Sequence, residues 1–71
     1  MGKQRTVREV IRDLKKAGFI ESPHHGHGTS HRRYVHRTDP TRYADISIHS
    51  MGDVLAKGTL RSIERQSGVE L

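Results

Sequence analysis

Residues 43–49, Tyr-Ala-Asp-Ile-Ser-Ile-His, alternate polar and apolar side chains without a break, and this constrains the fold more than any other stretch. Successive side chains of a strand point to opposite faces, so Ala44, Ile46 and Ile48 share one face and Tyr43, Asp45, Ser47 and His49 the other. A strand of this kind belongs to an antiparallel sheet with a core on one side and water on the other. Some other part of the chain must cover the apolar face.

Helical patterns on either side supply that cover. Thr6, Val7, Arg8, Glu9 fits a capping box, in which the Thr6 hydroxyl accepts from the Glu9 backbone while the Glu9 carboxylate reaches back. Val7, Val10, Ile11, Leu14 and Ala17 then recur at helical spacing as one apolar stripe, with Arg8, Arg12, Asp13, Lys15 and Lys16 on the wet side. Gly18 is the expected left-handed stop, with Lys15 and Lys16 well placed in the last turn. The polar, basic residues 1–5 are expected to be loosely held. A second helix is expected from about residue 58 to 67, with Leu60 and Ile63 inward and Gly68 at its end.

Between the helices, residues 19–22 read as a brief strand before Pro23, and residues 23–28 as a loop carrying His24, His25 and His27. A second strand is expected from residue 29 or 30 to 36, sending His31, Arg33 and Val35 to one face and Ser30, Arg32, Tyr34 and His36 to the other. Asp39 and Pro40 mark the turn into the strand at 43–49. Residues 50–57 connect to the second helix, and Val54 and Leu55 are expected to tuck under the sheet. The resulting order is helix, three-stranded antiparallel meander, helix. It is an α+β fold in one domain, with both helices on one sheet face and the other face open.

Charge and composition narrow what the open face can do. Thirteen Lys and Arg against eight Asp and Glu leave a net charge of +5, which favours a polyanionic partner. The absence of cysteine excludes disulfides and thiolate metal sites, and no apolar run approaches the roughly 20 residues of a membrane span. With no apolar stretch of the signal-peptide kind near the N-terminus, the expected location is the cytoplasm. Only three aromatic residues are present, so a deep pocket for a small metabolite is not expected; a long charged chain such as RNA suits an open face better.

RNA carries its own nucleophile, the 2′-OH. Cutting it requires a base for that proton, cations for the charge that builds on phosphorus, and an acid for the leaving 5′-oxygen. His31 is the candidate base, since an unperturbed imidazole titrates close to working pH. Arg32 and Arg33 are candidate phosphate contacts, of which only Arg33 shares the strand face of His31. His36, on the opposite face, is expected to pack or to hydrogen-bond, whereas His49 is an accessory candidate. His24 and His25 read as solvated loop residues. Metal binding by His24, His25, His27 and His31 is the rival from another class, but the spacing fits no zinc template and no metal is expected. A second rival is a noncatalytic RNA-binding module, in which Arg32, Arg33, Arg37, Arg42 and Lys57 only contact phosphate.

The helix ending in Lys16, Ala17, Gly18, Phe19, the run Gly28, Thr29, Ser30, His31 with Tyr34 three residues on, and Lys57, Gly58, Thr59, Leu60, Arg61, Ser62, Ile63 together resemble the HicA toxin family over about residues 6–69. The resemblance implies a fold similar to the double-stranded-RNA-binding domain and a ribosome-independent ribonuclease (an mRNA interferase) acting on messenger RNA. It places the single catalytic histidine at His31 and implies no metal or organic cofactor. It also implies a HicB-type antitoxin that covers the active site, with operator DNA bound only through that antitoxin. The family's Gly, Ser, His is lengthened here by one residue, which makes His27 the alternative; His31 is preferred because it keeps the spacing to Tyr34. Lys57 joins the candidate phosphate contacts, although residues 57–60 physically read as a helix start.

Overall fold

The two apolar helix stripes and the alternating strand meet as the spacing requires. The computed structural model describes residues 4–22 and 31–71. Helix α1 (Val7–Lys16) is followed by strands β1 (Phe19–Glu21), β2 (His31–His36) and β3 (Tyr43–Ser47), and then by helix α2 (Lys57–Ser67). The strands form one antiparallel sheet in the order β1, β2, β3. This is the helix, three-stranded sheet, helix arrangement of a double-stranded-RNA-binding-domain-like α+β fold.

The start of α1 is a complete capping box. The Thr6 backbone N–H donates to Glu9 Oε1 at 2.9 Å, and the Glu9 N–H donates to Thr6 Oγ1 at 3.2 Å. Both orphan donors are thereby satisfied. These bonds hold the Glu9 carboxyl below the usual carboxylate range, the Thr6 backbone donor being the largest cause. The helix stops where the chain turns through Gly18, at φ 97°. A side chain is disfavoured there twice over, because a Cβ on Gly18 would also lie 3.3 Å from His36 Nε2.

Val7, Val10, Ile11 and Leu14 of α1 and Ile63 of α2 are buried against Phe19, Tyr34, Ala44 and Ile46 of the sheet. Both helices therefore cover the same sheet face. Ile48, Leu55 and Leu60 pack at the margin of this core. Its edge is closed at the end of α2, where Gly68 takes φ 75° and the last turn is fastened to β3. Half-buried Arg42, one residue before β3, donates from Nε to the Ser67 carbonyl at 2.7 Å and lays its guanidinium 5.5 Å from the Phe19 ring centroid. Arg42 is thus a structural tether, not the surface phosphate contact that the binding-module reading made of it.

Two further expectations are corrected. Val54 does not tuck under the sheet: it is 52% exposed and forms a β-bridge with Thr6, so backbone pairing holds it in place of side-chain burial. Only its neighbour Leu55 reaches the core margin. Arg5, grouped with a loosely held start, is fastened on both its backbone and its side chain. Its carbonyl accepts from the Leu55 N–H at 2.9 Å, and its guanidinium pairs with Asp13. Residues 1–3, the loop at 23–28 and positions 29 and 30 lie outside the described residues. Among the described residues no helix is long and apolar enough to cross a membrane.

Candidate active site on the open sheet face

The strand register sorts the polar residues of β2 onto two faces. His31 lies opposite Ser47, Arg33 opposite Asp45 and Val35 opposite Tyr43, and these six share the face turned away from the helices. Arg32, Tyr34 and His36 point the other way, with Tyr34 buried in the core. Burial pushes the Tyr34 phenol up from its ordinary range, so it stays protonated and inert to titration near neutral pH. His31 and Arg33 therefore do share a face, as the alternation predicts, and His36 does not join them.

His36 has the packing role expected of it. Its ring meets Phe19 edge-on, with centroids 5.2 Å apart and planes at 86°. Its Nδ1 accepts from the Thr38 backbone N–H at 3.2 Å. In that neutral tautomer the proton sits on Nε2.

His31 is the first residue of β2 and is exposed. Its cross-strand partner Ser47 holds a second histidine close by: Ser47 Oγ and His49 Nε2 are 3.3 Å apart. Opposed residues of an antiparallel pair stand about 4.5–5.5 Å apart. Ser47 is thus the common neighbour of two exposed imidazoles, and the structure brings together His31, Arg33 and His49 on one face.

Arg33 is held in a fixed orientation. Its Nε and one terminal nitrogen donate to the two carboxylate oxygens of Asp45 at 2.7 and 2.9 Å, and its guanidinium stacks 4.8 Å from the Tyr43 ring centroid. The Asp45 hydrogen bonds raise the Arg33 pKa further. A guanidinium presents five N–H donors, so this fork uses one edge and leaves the Nη1 edge for a phosphate oxygen. Asp45 and Tyr43 were not singled out in the sequence as part of this site. The signal was available, since both sit on the polar side of the alternating run.

The other candidates lie elsewhere. Arg32, on the helix-side face near the start of the central strand, donates to Glu21 Oε2 at 2.7 Å, and that bond raises its pKa. Lys57 opens α2, exposed, at the end of the helix away from the Arg42 tether. The residues around it are the helix start that they resemble, with Ala56 at the N-cap position and no side chain closing the cap. His24, His25 and His27 lie outside the described residues.

Residues 7–69 of the chain match the model of the family described as HicA toxin of bacterial toxin-antitoxin. No curated protein and no solved structure matches the chain.

Proposed function

Because the chain belongs to the HicA toxin family of bacterial toxin–antitoxin systems, we propose that it is a ribosome-independent endoribonuclease that cleaves messenger RNA on the open sheet face. The observation that carries this reading is the grouping of His31, Arg33 and His49 around Ser47 on a face that nothing in the core occupies.

His31 takes the proton from the ribose 2′-OH. The 2′-oxygen attacks phosphorus as the bond to the 5′-oxygen breaks, leaving a 2′,3′-cyclic phosphate and a 5′-hydroxyl. In-line displacement puts the leaving oxygen opposite the nucleophile, so a second proton donor is needed there, and His49, beside Ser47, takes that role in this reading. Arg33, oriented by Asp45 and Tyr43, binds a non-bridging phosphate oxygen as charge builds on it. Arg32 and Lys57 contact phosphates outside the reacting bond.

The whole chain serves as one toxin domain working in the cytoplasm. Its partner is a HicB-type antitoxin that covers this face, and operator DNA is reached only through that antitoxin. The test is a defined RNA incubated in EDTA with the wild-type protein and with His31→Ala, both shown to be folded. Cleavage by the wild type alone, leaving 5′-hydroxyl ends, is expected. Equal cleavage by both proteins would remove His31 from the chemistry, and RNA bound but uncut by the wild type would favour a noncatalytic RNA-binding module.

A further inference from the structure

The strongest unassigned charge in the molecule lies on the opposite side, along the exposed surface of α1. Arg8, Arg12, Lys15 and Lys16 are all exposed and recur at intervals of three, four and seven residues, so they line one side of the helix. With Ile11 and Met51 they enclose a groove of about 500 Å³. Met51, 38% exposed, gives this groove an apolar floor.

This stripe differs in kind from the cations of the open face. Arg33 there, and Arg32 on the helix-side face, are both engaged by carboxylates. Among the described residues, no carboxylate lies within ion-pair distance of Arg8, Lys15 or Lys16. Asp13, the acidic residue of the same helix surface, is taken up by Arg5, and its contact to Arg12 is a loose 3.7 Å.

The Met51 side of the groove is tied through the backbone to the connection that follows β3. The Arg8 backbone N–H donates to the Met51 carbonyl at 3.0 Å, Met51 lies two residues after His49, and His49 meets Ser47, the partner of His31.

We propose that this side of α1 is a second, noncatalytic binding track for the backbone of single-stranded RNA, which holds the substrate beyond the cleaved bond. The inference rests on the nuclease reading above. Four cations spaced along a helix, three of them without a carboxylate partner among the described residues and the fourth only loosely paired, suit a run of phosphates, and the apolar lining at Met51 suits the face of an unstacked base.

The test is binding of a labelled single-stranded RNA by His31→Ala protein, which leaves the RNA whole, across a salt series. The four contacts of this track should contribute about −3 to the log–log slope. Adding Lys15→Ala and Lys16→Ala should lower that slope by about 1.4 and weaken binding roughly 25-fold at 0.1 M salt, since each lost contact contributes about 0.7 to the exponent. Lys15→Arg with Lys16→Arg should restore both. All these positions are exposed, and Arg8→Gln with Lys16→Gln is a second pair should the first misfold. Unchanged affinity and slope in the alanine pair would overturn the track while leaving the nuclease standing, provided the wild type still cuts. Competition by polyglutamate under that outcome would reassign the stripe to an acidic protein. Failure of the His31→Ala parent to bind any RNA would remove the RNA reading and the track together.

Discussion

Replacing Arg42 with alanine removes the sole hydrogen-bond donor seen at the Ser67 carbonyl among the described residues. Ser67 is completely buried with the Arg42 side chain in place. Leaving a buried acceptor unpaired costs about 1–3 kcal/mol. Losing the guanidinium from the Phe19 ring adds about 0.5–1 kcal/mol, and a cation is also lost from a helix C-terminus. The sum is about 2–4 kcal/mol, against a total stability of about 4–11 kcal/mol for a chain of this size. At about 4–8 °C per kcal/mol for a small domain, the melting temperature should fall by at least about 8 °C. Thermal unfolding followed by circular dichroism measures this directly. Arg37→Ala is the control, since Arg37 is exposed and makes no side-chain hydrogen bond or ion pair among the described residues; its melt should shift by no more than about 0.5 kcal/mol. Arg42→Lys should recover little, because an ammonium cannot donate to the carbonyl and lie flat on the ring at once. A melting shift below about 3 °C for Arg42→Ala, with RNA binding weakened instead, would refute the tether and make Arg42 a phosphate contact.

Acid should loosen the start of α1. The Glu9 carboxyl is held low by the Thr6 hydrogen bonds, so its contribution is present above the unfolded-state value, about pH 4.3, and is lost as pH falls through the lower folded-state value. Glu9→Gln should therefore melt below the wild type at neutral pH and approach it under acid conditions; parallel melting curves across pH 2–7 would contradict this. Gly18→Ala should destabilise by about 1–2 kcal/mol, through positive φ and the close approach to His36, read as a fall in denaturation midpoint with an unchanged slope.

The fold was legible wherever a period was clean. The α1 stripe, its capping box and the alternation through β3 each depend on neighbours within a few residues, and the structure reproduces them. What depends on pairing at a distance was not legible. The opposition of Arg33 to Asp45 follows from the length and shape of the turn at 37–42, which residue spacing does not set, so Arg33 read as an unengaged cation. Arg42 read as surface charge for the same reason: its partners, Phe19 and Ser67, are 23 and 25 positions away. Val54 failed differently, because an apolar residue in a connection can be secured by its backbone while its side chain stays in water. In the candidate site, alternation correctly grouped His31 with Arg33, while the meeting of His49 with Ser47 depends on the chain's course beyond the end of β3.

The lacing of residues 5–8 to residues 51–55, through the Thr6–Val54 bridge and the bonds from Val7 to Asp53 and from Leu55 to Arg5, sets the order in which the molecule can be completed. Helix α1 is synthesised first, yet its N-terminal end cannot be seated until residues 51–55 have emerged, because the loop it closes spans more than forty residues and includes the whole sheet. On the ribosome the groove beside Arg8 and Met51 can form only once the chain past β3 has emerged. Contacts between distant parts of the chain thus make assembly of this small protein a late, all-or-none event, with no working half appearing before the rest.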